Sequence, residues 1–343
     1  MNISMLRVVA LFFLLVLQSA AFAADITGTG SMIPGPLIKV WAEAYSVHSP
    51  TSAIKYKGTN PVDGIKSLLS KEADFSSIDM PLNISDLKKN GLMQFPIALG
   101  MIIPLVNLPN IYTGQLKLDA KTLGDIFLGK IKRWNDPAIT ELNPTLHLPD
   151  ADIVVVHRAS PAGVITVIGD YLARTHPEWK SIKGDGMAGS WPATSIEVQT
   201  TRENLETIEK TQFSIGYGPV NLAVKRGLTY VQLKNKAGNF VSPSDINVTA
   251  AAMSAKWDES NGFDVNLNDQ SGASSWPLTM TSFVLVRKAS EQSDRTKEIL
   301  KYIKYCIRNG GLTAVQNEYT PLPDYVSTLV RASLDSKING KEM

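Results

Sequence analysis

Arg158 closes the β-branched run Val154-Val155-Val156-His157, which is short, continuous and bounded, and so reads as a buried strand. Beyond it, Pro161 and Gly163 punctuate a turn, and Val164, Val167, Ile168, Tyr171 and Leu172 recur at helical spacing. Arg158 is therefore expected just past a strand end and beside the first turn of a helix. Unpaired helix N–H groups and the helix dipole favour an anion at that place in an open α/β sheet. A guanidinium adds permanent charge in a planar fork that matches an oxyanion. The competing reading is that Arg158 pairs with a surface carboxylate.

Other chemistries find little to work with. His48, His147, His157 and His176 are scattered without metal-ligand spacing. No serine stands in a nucleophile-elbow context. The single cysteine, Cys306, lies in an apolar helical segment, reads as core, and has no base nearby in sequence. Thr27-Gly28-Thr29-Gly30 is glycine-rich but lacks the spacing of a dinucleotide fingerprint or a P-loop. A formal charge of +2 gives no sign of nucleic-acid or membrane binding. A binding protein without metal or cofactor is expected, rather than an enzyme.

The elements that position Arg158 follow from the chain in order. Arg7, the apolar run Val8–Leu17 and Ala21-Phe22-Ala23 have the pattern of a secretory signal peptide, with cleavage expected after about Ala23. About 320 of the 343 residues would remain, enough for two domains. One cysteine cannot form an internal disulfide. Three strand–helix units come first, their strands starting at Asp25, Ala53 and Ala73. They predict a parallel sheet whose strand ends, near Ser31, Thr59 and Asp79, share one edge. The helices are expected from Leu37 to Tyr45 and from Ile65 to Ser70. Further strands are expected at Met101–Asn107, Gln212–Tyr217 and Leu278–Val286, the last packing back on the first sheet. Helices over Thr296–Ile307 and Tyr325–Leu334 close the chain.

The segment Lys121–Asp136 resembles the signature of the periplasmic phosphate-binding proteins of Pst-type ABC importers. So do Leu142-Asn143-Pro144, Ile215-Gly216-Tyr217 and Trp276-Pro277-Leu278-Thr279. The resemblance extends from Thr27 to about Val330. It implies an α/β, two-lobe periplasmic-binding-protein fold (type II), with parallel and mixed sheets flanked by helices and a cleft between the lobes. Residues 24–98 and 277–343 would form the first lobe and 99–276 the second, with crossovers near Ile97–Leu99 and Trp276. The implied function is an exported, monomeric, periplasmic substrate-binding protein. It would take phosphate or another small oxyanion and deliver it to an inner-membrane ABC permease, without a cofactor.

The ligand residues implied by the resemblance are Asp79, Arg158, Gly163, Val164, Ile33 and Met32. Asp79 would accept the proton of a protonated oxyanion and so reject sulfate. Arg158 would supply charge, and the N–H groups of Ile33, Gly163 and Val164 would donate. Met32 and Ile33 stand where the family has threonine and phenylalanine. Pro61, which has no N–H, replaces a serine, and Ser160-Pro161-Ala162-Gly163-Val164 replaces Asp-Gly-Ser-Gly-Thr. At roughly 1.5 kcal/mol or more per donor lost to a charged group, four losses correspond to about four decades of affinity. Phosphate binding is thus expected to be micromolar or poorer. Asp79 and Arg158 are expected to face each other across the cleft, bridging a ligand or pairing directly. The alternative is a divergent receptor or scaffold for another ligand or a protein partner.

Overall fold

The computed structural model describes residues 25–159, 163–183, 191–192, 195–288 and 294–340. The expected signal peptide and the turn residues Ser160, Pro161 and Ala162 lie outside these. The described strands are β1 (Ile26–Gly30), β2 (Ile54–Gly58), β3 (Phe75–Ile78), β4 (Leu92–Asn107), β5 (Lys117–Leu118) and β6 (Val154–Arg158). They continue with β7 (Ile196–Val198), β8 (Ser214–Pro219), β9 (Thr229–Tyr230), β10 (Gln232–Lys234), β11 (Phe240–Val241) and β12 (Thr279–Arg287). The helices that matter to the site and its support are α1 (Gly35–His48), α2 (Pro61–Leu69), α3 (Gly163–Thr175), α4 (Thr201–Lys210), α5 (Asp294–Asn309) and α6 (Asp324–Ile338).

The main sheet is nine-stranded, in the order β2-β1-β3-β12-β4-β8-β6-β7, with β9 on β4. β1 pairs in parallel with both β2 and β3, so the residues that follow all three strands meet at one edge. β6 pairs in parallel with β7 and β8. The two parallel groups are joined by antiparallel strands. β12 runs antiparallel to β3 and β4, and β4 antiparallel to β8. The fold is mixed α/β, and β5, β10 and β11 form a separate three-stranded sheet.

β4 is the backbone of this arrangement. Its residues Leu92–Met101 pair with β12, and Ile102–Asn107 pair with β8. One strand thus passes from the first half of the sheet to the second. The chain returns through Trp276, whose buried ring donates Nε1–H to the Ile102 carbonyl at 3.0 Å, while Ile102 N–H donates to Leu278 O at 3.0 Å.

Three local expectations need correction. β4 starts at Leu92 rather than Met101. Its prolines, Pro96 and Pro104, would ordinarily demote a strand, yet both lie within it, and the register shifts beside the Pro96–Phe283 pair. β12 does not pack back on the first sheet but lies inside it, buried along nearly its whole length. A central strand covered on both faces shows a continuous apolar run, not alternation. Finally, α2 begins at Pro61, not Ile65.

The helices fold for legible reasons. Asn60 caps α2 by accepting from Asp63 N–H at 2.9 Å, and proline at the first helical position forgoes an N–H that has no helical partner there anyway. In α3 the residues at helical spacing, Val164, Val167, Ile168, Tyr171 and Leu172, are all buried. The closing helices cover the first half of the sheet. Tyr302 of α5 donates to Ile38 O at 2.8 Å, and Trp41 of α1 to Gly310 O at 3.1 Å. Cys306 is buried at 2% exposure, as expected of core.

Candidate functional site

The edge where β1, β2 and β3 end is held by a dense set of short contacts. Ser31 N–H donates to Ser77 O at 2.9 Å and Thr59 N–H to Gly30 O at 2.6 Å. The Tyr56 hydroxyl donates to Ser31 O at 2.6 Å and contacts the Ser77 hydroxyl. Gly30 has φ +119°, and a Cβ there would meet Ser77 O at 2.2 Å, so only glycine allows the crossing.

Asp79, the residue after β3, is the most unusual group at this edge. It is 2% exposed. Its Oδ2 accepts from the Ser31 hydroxyl at 2.7 Å, and that hydroxyl in turn accepts from Ile33 N–H at 3.0 Å. Its Oδ1 is buried and has no hydrogen-bond partner. Burial pushes the carboxyl up from 3.8 to about 7, against the opposing pull of the Ser31 hydrogen bond. A buried acceptor left unanswered is costly unless a donor arrives.

The second half of the sheet meets Asp79 through the start of α3. An ideal Cβ on Gly163 would lie 2.1 Å from Asp79 Oδ2 and 2.7 Å from its Cβ and Cγ. The helix backbone therefore packs directly on the carboxylate, an approach that any side chain at position 163 would prevent. The first-turn N–H groups of a helix have no acceptor within it, and Gly163 is the first residue of α3. Tyr319 ties the halves together a second time. It donates to Ile33 O and accepts from Asn221 Nδ2–H at 2.9 Å, just beyond β8. Burial pushes its phenol well up, and the nearby Asp79 adds to that.

Arg158 does not pair directly with Asp79. Its Nη1 donates to Thr201 Oγ1 at 3.0 Å and its Nη2 to Gln199 O at 2.9 Å, both at the start of α4. Its Nε is buried with no partner. No ion pair joins it to Asp79 or to any other described carboxylate. It is half-buried, and desolvation holds its pKa below the ordinary arginine value. The guanidinium is thus held by neutral partners within its own half of the sheet, with the Glu203 carboxylate acting on it only at longer range. The structure brings Asp79 to Gly163, not to Arg158.

The other expected ligand residues are also located. Met32 points outward at 57% exposure, and Ile33 packs partly against the core with its N–H spent on Ser31. Val164 is buried at 2%, so its side chain serves the core of α3 and leaves only its backbone for a ligand. A cavity of about 180 Å³ opens beside Asp79 and Gly163, and Pro61 lies in its wall. Ser31, Tyr56, Asn221 and Tyr319 belong to the site but carry no motif. Only Ser31 had a signal, as the residue at the end of β1.

Comparison with known proteins gives a consistent picture. The profile of a PBP superfamily domain matches residues 17–309. A phosphate-binding protein PstS from Pasteurella multocida is 36% identical over 320 residues, covering 93% of this chain and 92% of the relative. A phosphate-binding protein PstS from Xylella fastidiosa is 37% identical over 301 residues, covering 88% and 82%. Among solved structures, a phosphate-binding protein from Stenotrophomonas maltophilia superposes with a TM-score of 0.66 at 16% identity, covering 90% of this chain and 94% of that one. An ABC-type phosphate transport receptor from Vibrio cholerae gives 0.57 at 19%, covering 88% and 100%.

Two outcomes follow from the Asp79–Gly163 contact. Gly163→Ala is expected to force the two halves of the sheet apart, raising the radius of gyration in solution scattering; an unchanged scattering curve would contradict the contact. The second concerns pH. The folded chain holds a proton on Asp79 that the unfolded chain has released between 3.8 and about 7. The stability from neutral Asp79 is complete below about pH 4 and lost as pH rises through about 7, at most on the order of 4 kcal/mol. Asp79→Asn is expected to flatten this fall in urea unfolding followed across that range. An unaltered pH profile in the variant would show that Asp79 titrates normally.

Proposed function

Since this chain belongs to the PstS phosphate-binding proteins of the PBP superfamily, we propose that it is an exported substrate-binding protein of a phosphate-type ABC importer. It binds phosphate or a related oxyanion between the two halves of its sheet. The observation that carries this reading is the unanswered, buried Oδ1 of Asp79, a carboxylate whose other oxygen packs on the start of α3. A ligand there meets three things at once. Its oxygens accept from the first-turn N–H groups of α3, where the helix dipole also favours negative charge. A protonated oxygen donates to Asp79 Oδ1. The Arg158 cation, which has no ion-pair partner among the described carboxylates, raises the positive potential of the same half.

The acceptor decides which anions enter. A fully deprotonated sulfate has no hydrogen for Asp79 and sets charge against charge, whereas a protonated phosphate or arsenate completes the carboxylate's hydrogen bonds. Residues 24–98 and 277–343 form one lobe and 99–276 the other. The passage along β4 and the return at Trp276 act as the hinge, so that ligand binding favours the closed arrangement. The first 23 residues direct export and are removed, leaving the mature protein in the periplasm to dock on a membrane permease. Its work is binding rather than catalysis.

Calorimetric titration of the mature protein tests this reading. Phosphate and arsenate are expected to bind, with sulfate at least about tenfold weaker, and Arg158→Met is expected to weaken phosphate by about tenfold or more. Sulfate binding as tightly as phosphate would contradict the role given to Asp79. An unchanged affinity in Arg158→Met would remove Arg158 from the site.

A further inference from the structure

The cavity beside Asp79 has one polar end and one hydrocarbon wall. Asp79 and the first residue of α3 form the polar end. Pro61, Val62, Ile65, Ile78, Met80 and Leu82 form most of the wall, with Asn60 and Thr166 as its polar members. Several donors near this wall are absent or spent elsewhere. Pro61 has no N–H. The Asn60 side chain, also in the lining, donates Nδ2–H to Asp63 Oδ2 at 2.6 Å and accepts from Asp63 N–H at 2.9 Å. The Ile33 N–H is held by the Ser31 hydroxyl, and that hydroxyl's own hydrogen is held by Asp79.

Orthophosphate fits such a space poorly. Its four oxygens point to the corners of a tetrahedron, and each asks for a donor or an acceptor. With two or three oxygens placed at the start of α3 and at Asp79 Oδ1, another must face the wall, where a charged oxygen loses hydration and gains nothing. Replacing that oxygen by carbon removes the mismatch and adds apolar burial. A cavity of about 180 Å³ is well below the size of pockets for drug-sized ligands, so the substituent must be short.

We propose that the cleft selects an oxyanion carrying one short alkyl group, an alkylphosphonate, over orthophosphate, because most of the residues that line the cavity beside Asp79 and α3 are hydrocarbon. The proposal rests on the oxyanion reading above. In the bound state the phosphonate hydroxyl donates to Asp79 Oδ1, the remaining oxygens accept from the N–H groups opening α3, and the alkyl group lies against Pro61 and Val62. No bond is made or broken.

Calorimetry of the mature protein at neutral pH, with methylphosphonate, ethylphosphonate and orthophosphate as titrants, tests it. Methylphosphonate is expected to bind at least about tenfold more tightly than orthophosphate. Pro61→Ser restores an N–H and a hydroxyl to the wall and is expected to shrink that preference by about threefold or more. Val62→Thr, which keeps the shape and adds only a hydroxyl, is the second variant should the first not fold. Orthophosphate binding as tightly as methylphosphonate in the native chain would overturn the proposal and leave the oxyanion reading standing. A preference untouched by a folded wall variant would overturn it too. Failure of all three anions to bind would overturn both.

Discussion

The contact on which this molecule turns is a carboxylate pressed against the start of a helix. Asp79 contributes one oxygen to Ser31 and leaves the other without a partner, while Gly163 packs the α3 backbone against the Ser31-bonded oxygen. Burial of a carboxylate is tolerated only if its charge is lost or answered. Here it is partly lost, since the carboxyl is pushed up to about 7. In the proposed function, the rest of the answer comes from the ligand.

The scaffold exists to make that meeting possible. The parallel set β2-β1-β3 delivers Ser31, Thr59 and Asp79 to a single edge, and β6 precedes α3 in the other half. β4, shared between β12 and β8, keeps the two halves in register. Tyr319 adds a polar tie between Ile33 and Asn221 across them.

Much of this was legible in the residues, and the failures have physical reasons. The periodicity of Val164 to Leu172 gives α3, and the strand ends give the edge, because both are local patterns. The partner of Asp79 was not legible. Arg158 has the right charge, but its reach is taken by Thr201 and Gln199, some forty residues along the chain, and nothing in the spacing reveals that. The true partner, Gly163, is a backbone position whose importance lies in having no side chain. Pro61 read as a lost donor, yet as the first residue of α2 it costs the helix nothing. What it changes is the character of the cavity wall. β12 was misplaced because a central strand and a strand lying on a sheet share the same apolar run. Tyr319 and Asn221 belong to the site only through tertiary contacts that no motif marks.

The account stands or falls on Asp79 Oδ1 being completed by a ligand. The most direct test is an anomalous difference map at the arsenic edge from crystals soaked in arsenate or methylarsonate. The arsenic peak is expected beside Asp79, with one oxygen in hydrogen-bond distance of Oδ1 and another facing the N–H groups of Gly163 and Val164. A peak at Arg158 away from Asp79, or an Asp79 still lacking a partner in a liganded crystal, would contradict it.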